Sequence, residues 1–76
     1  MTIFILVIHH KHGASISAFY HQEDALDALA KYVAREWSRE IDRDEALPTD
    51  EGQAIARYFQ LMAGREYYDL NEAELA

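Results

Sequence analysis

Residues Thr2 to His9 read TIFILVIH, a run that is apolar on both alternating faces, with Ile3, Ile5 and Val7 on one and Phe4, Leu6 and Ile8 on the other. A strand of this kind wants cover on both sides, which makes it the expected centre of a sheet. Working outward, HKHG at His10 to Gly13 supplies a turn, with Gly13 able to take the positive φ that tight hairpins need. A second strand follows over Ala14 to Tyr20, with Ile16, Ala18 and Tyr20 on one face and Ser15, Ser17 and Phe19 on the other, as expected of a half-exposed edge.

From Gln22 the period changes. Leu26, Leu29, Ala30, Val33, Trp37 and Ile41 follow helical spacing, and Glu23 and Asp24 sit near the positive end of the helix dipole, so a helix is expected to about Ile41. Asp42 to Pro48 reads as the loop between helices, because the proline disfavours helix at the residue before it. Thr49 is the expected N-cap of a second helix, with Asp50 and Glu51 in its first turn, Ile55, Tyr58, Phe59 and Met62 as its apolar stripe and Gly64 as its stop. Arg65 to Leu75 is read as a final strand in preference to a frayed helix. The expected fold is therefore α+β in the order ββααβ: a small antiparallel or mixed three-stranded sheet with both helices on one face. The other face of the sheet is left uncovered.

The chain has 76 residues, enough for one domain and one core. A folded chain of this mass exposes roughly 4,800 Å² and gains only modest stability, so dimerisation would help it. With no cysteine, neither a disulfide framework nor a thiolate metal site can act as a staple. The apolar run at Thr2 to Ile8 is too short to span a bilayer and has no basic flank, so it is read as a strand rather than a signal, and the expected compartment is the cytoplasm.

Fourteen acidic against seven basic residues give a formal charge of −7, which repels phosphate and anionic lipid and argues against direct nucleic-acid or membrane binding. Five of the ten residues from Asp42 to Glu51 are acidic, namely Asp42, Asp44, Glu45, Asp50 and Glu51. Glu66, Asp69, Glu72 and Glu74 mark a second acidic stretch, in which Tyr67 and Tyr68 suit a protein interface because tyrosine joins a large contact area to a polar tip. The expected partner-binding residues are Asp42, Asp44, Glu45, Asp50, Glu51, Glu66, Tyr67, Tyr68 and Asp69. A mimic of nucleic acid needs these acids to gather on one side, with Lys31, Arg35, Arg39 and Arg57 elsewhere or paired.

Four histidines, His9, His10, His12 and His21, lie close in sequence, and His10 and His12 have the spacing to share a metal, but His21 falls at the far end of the hairpin, so no metal or cofactor is expected. The serines have no Gly-framed elbow, the paired carboxylates have no cleft, and Gly13, Gly52 and Gly64 form no phosphate-binding loop. The chain is expected not to be an enzyme.

The apolar first strand, the HKHG hairpin, the segment EDALDALAKYVAREW and the acidic, tyrosine-bearing tail together resemble small acidic proteins of phages and mobile elements, among them the anti-CRISPR proteins. That resemblance covers size, acidity and layout across the chain. It implies a stoichiometric inhibitor in the host cytoplasm that presses an acidic face against the basic nucleic-acid channel of a CRISPR effector. The alternative reading is a homodimeric structural or regulatory module that pairs through the uncovered sheet face, with Phe4, Leu6, Ile8 and Phe19 as the expected contacts.

Overall fold

The structure, a computed structural model, describes residues 1–75. Its elements are β1 (Thr2–His10), β2 (Gly13–Phe19), α1 (Gln22–Glu40), α2 (Glu51–Leu61) and β3 (Tyr67–Glu74). The sheet order is β2-β1-β3 with both pairings antiparallel, so the α+β, ββααβ layout and the central place of β1 are as the apolar pattern predicts. The turn closes through His10 opposite Gly13, whose φ of +122° is reached without the strain a side chain would bring.

Only one face of β1 is sealed by the helices. Leu6 and Ile8 are buried there, and Phe4 shares their face opposite Phe19, which packs against the same core. Over them, α1 presents Ala25, Leu29, Ala30, Val33 and Trp37, successive residues lying four, one, three and four positions apart, so that one stripe of the helix faces inward. α2 adds Ala54, Ile55 and Tyr58, and Met62 follows at its C-cap. Burying side chains such as Leu29, Val33 and Tyr58 completely is worth about 1.5–3 kcal/mol each.

Asp50 caps α2, its Oδ2 accepting from the Gln53 amide at 2.9 Å; the cap expected at Thr49 lies one residue later. Ala54 shares a groove with Ala30 and Lys31, while Leu61 shares another with Glu40 and Ile41. The two helices therefore run in the same direction, and the segment between them travels back along their sides. Trp37 pins that segment, its indole Nε1 donating to the Glu45 carbonyl at 2.8 Å. Arg57 holds the same residue, donating from Nη2 to Glu45 Oε1 at 2.8 Å. Gly64, with φ +86°, then turns the chain from α2 towards β3.

Candidate functional site

Strand registry fixes what lies on the open face. Ile3, Ile5, Val7 and His9 alternate with the buried set on β1; Ala18, Ile16 and Ala14 stand opposite Ile5, Val7 and His9 on β2; and Ala73, Asn71, Asp69 and Tyr67 stand opposite Ile3, Ile5, Val7 and His9 on β3. Opposite residues of a ladder share a face, so these side chains form one surface. Ile16 is 72% exposed and Tyr67 58% exposed. This corrects the expected dimer contacts: Phe4, Leu6, Ile8 and Phe19 belong to the helix-covered face. Because β1 is apolar on both faces, its own pattern does not decide between them.

The polar end of this open face is organised. The His9 ring stacks on Tyr67 with centroids 4.2 Å apart and planes 13° from parallel, and His9 Nε2 lies 3.3 Å from Asp69 Oδ2. Tyr68 points the other way and packs on Phe59, 4.8 Å between ring centroids. The two adjacent tyrosines thus serve opposite faces.

Among the acids expected to meet a partner, Glu66 is buried, 4% exposed, and Oε1 accepts from the hydroxyls of Tyr32 at 2.7 Å and Tyr58 at 2.8 Å. Burial first, and then the Glu66 carboxylate, raise both phenol pKa values well above the ordinary range. Its expected place at a surface is therefore corrected; two donors from α1 and α2 make burial of the carboxylate tolerable. Asp42 accepts from the Asp44 amide at 3.1 Å, Asp50 caps α2, and Glu45 pairs with Arg57, so three of the five loop acids hold local structure. Asp42, Asp44, Asp50 and Glu51 remain exposed. These four are strung along the segment that runs back beside the helices, Asp42 beside Leu61 at one end of α2 and Glu51 beside Lys31 at the other, while Glu66 is buried and Tyr67 and Asp69 stand on the open sheet face.

A cleft of about 310 Å³ lies between the hairpin end and α1, with Lys11, Arg35 and Arg39 at its rim and Tyr32 and Glu66 among its lining. Each cation has a carboxylate: Lys11 with Glu40 at 3.3 Å, Arg39 with Glu36 at 3.5 Å, Arg35 with Glu36 at 3.7 Å. Three cations against Glu36, Glu40 and Glu66 leave no formal excess to attract an anion. Nearby, His10 Nε2 is engaged with Ser15 Oγ at 3.0 Å, and His10 Nδ1 accepts from the His12 amide at 3.2 Å. Among the described residues no three His, Asp or Glu side chains converge as a metal-ligand set, and no helix is long and apolar enough to cross a membrane.

Sequence reasoning missed Ile16, Ala18, Ile3, Ile5 and Val7 as candidate contacts. The signal that finds them is the pairing of Val7 with Ile16 and of Ile5 with Ala18, which appears only once the hairpin register is known. Compared with known proteins, the chain matches no family model, no curated sequence and no solved structure, so its functional reading rests on these surfaces.

Proposed function

We propose that this chain is a non-enzymatic, homodimeric structural or regulatory module whose copies pack sheet against sheet through the open face. The observation that carries the reading is the apolar block of Ile3, Ile5, Val7, Ile16 and Ala18 with no helix over it. On β1 and β2 the block covers two strands at about 4.8 Å spacing and five residues at about 3.3 Å, roughly 160 Å² of apolar face, which Ala73 continues onto β3. The chain also exposes 5329 Å², about 500 Å² more than a monomer of its mass is expected to show. Sedimentation tests this directly. Ile5→Lys sets a charge at the middle of the face, and the variant is expected to form smaller species than the native chain at equal concentration. Identical assembly of the two proteins removes the reading.

A second reading is favoured by the exposed acids of the stretch before α2. In it, Asp42, Asp44, Asp50 and Glu51 engage Lys and Arg on a basic nucleic-acid-binding protein, such as a CRISPR effector subunit, and block its DNA site. Asp44→Lys with Glu51→Lys reverses charge at two exposed acids and spares the acid that caps α2 and the one that closes the turn. Loss of inhibition is expected; undiminished inhibition eliminates the acidic surface as the cause.

A further inference from the structure

The sheet has two edges, and they are built differently. β3 carries Asp69, Glu72 and Glu74, charges that deter another strand from adding on. β2, the other edge, reads GASISAF: it has no charge and no proline, and Gly13 to Ala18 are all exposed. A strand with one neighbour leaves alternate backbone N–H and C=O groups pointing outward, and among the described residues no other strand pairs with them.

The sequence of this edge is also its own reverse. Ala14-Ser15-Ile16-Ser17-Ala18 reads identically in both directions about Ile16. We infer that β2 pairs antiparallel with β2 of a second copy of this chain, centred on Ile16, joining two three-stranded sheets into one of six strands. In that register Ile16 meets its own counterpart, Ser15 meets Ser17, Ala14 meets Ala18, and Phe19 stands opposite Gly13. Ser–Ser pairs can hydrogen-bond across strands. A shift by one residue would set Ile16 beside serine and turn the two open faces to opposite sides of the joined sheet; a shift by two forfeits paired residues. The contact is isologous and closes at two copies.

This edge also suits a chain of charge −7, since it is a strand without an acid and offers a second copy little repulsion. The inference is independent of sheet-on-sheet packing, because Ser15 and Ser17 project from the side opposite the open face; both contacts together give the native chain a four-copy assembly, two edge-joined pairs packed face to face, of which the Ile5→Lys chain keeps only the edge-joined pair. The test uses this separation. In the Ile5→Lys chain, whose open face is disabled, sedimentation at high micromolar concentration is expected to show a dimer. Adding Ser15→Lys and Ser17→Lys places like charges across the joint and is expected to give a monomer with an unchanged far-ultraviolet dichroism spectrum. Ser15→Glu with Ser17→Lys restores complementarity and the dimer. In the native chain, amides within Ala14 to Ala18 are expected to gain hydrogen-exchange protection as concentration rises. A monomeric Ile5→Lys chain with concentration-independent exchange at β2 overturns the inference. A dimer that survives both lysines, or open-ended growth beyond two copies in the Ile5→Lys chain, overturns it too.

Discussion

Glu66 joins three elements with one oxygen: Tyr32 of α1 and Tyr58 of α2 both donate to it at the entrance to β3. Leaving a buried hydroxyl without a partner costs about 1–3 kcal/mol, so Glu66→Ala, which orphans the buried Tyr58 hydroxyl and leaves the half-buried one of Tyr32 to water, is expected to destabilise the fold by about 1–3 kcal/mol in urea unfolding. Glu66→Gln keeps an acceptor and is expected to cost less. The same network sets an alkaline limit. The phenols of Tyr32 and Tyr58 keep their protons in the folded chain to higher pH than the ordinary value of 10.0, so above that pH the folded state binds more protons than the unfolded one. Their contribution is fully present below about pH 10 and is lost as pH rises through the folded values. Thermal melts should fall above that point, and Tyr58→Phe should flatten the fall while lowering stability at neutral pH. A melt of the native chain that is flat to higher pH would contradict the assignment.

At the scale of elements, the helix punctuation makes a local prediction. Asp50→Ala should cost about 1 kcal/mol through the lost bond to the Gln53 amide, whereas Thr49→Ala, one residue outside the helix, should change stability by less than about 0.5 kcal/mol. Chemical denaturation of the two variants separates them. Thr49 and Asp50 are adjacent and share the same capping chemistry, so sequence alone does not choose between them. The elements themselves were legible because period-two and period-3.6 patterns change sharply at Gln22 and at the acidic stretch before α2. Which face of the sheet the helices cover was not legible, because Ile3, Ile5 and Val7 are as apolar as Phe4, Leu6 and Ile8. The β2 alternation misled for a different reason. Its more apolar set, Ile16 and Ala18, faces outward, and its serines lie on the helix side, where the strand reaches past the cover. Burial of Glu66 was equally invisible, since one of its donors lies 34 residues away.

For the whole molecule, the two functional readings differ in the sign of their response to salt. Two copies each carrying −7 repel one another. Treated as points about 25 Å apart in water, with Debye lengths of about 30 Å at 0.01 M salt and about 8 Å at 0.15 M, they repel by roughly 3 kcal/mol and roughly 0.4 kcal/mol respectively. An apolar self-contact through Ile3, Ile5, Val7 and Ile16 gains nothing from those charges. It should therefore tighten by roughly a hundredfold as salt rises between these limits. Capture of a basic partner by Asp42, Asp44, Asp50 and Glu51 should instead weaken, because screening removes its attraction. Sedimentation of the chain alone across the salt series measures the first response. Self-association that weakens with salt would mean that charge pairs, such as Lys31 with the Glu51 of another copy, make the contact and the apolar sheet face does not.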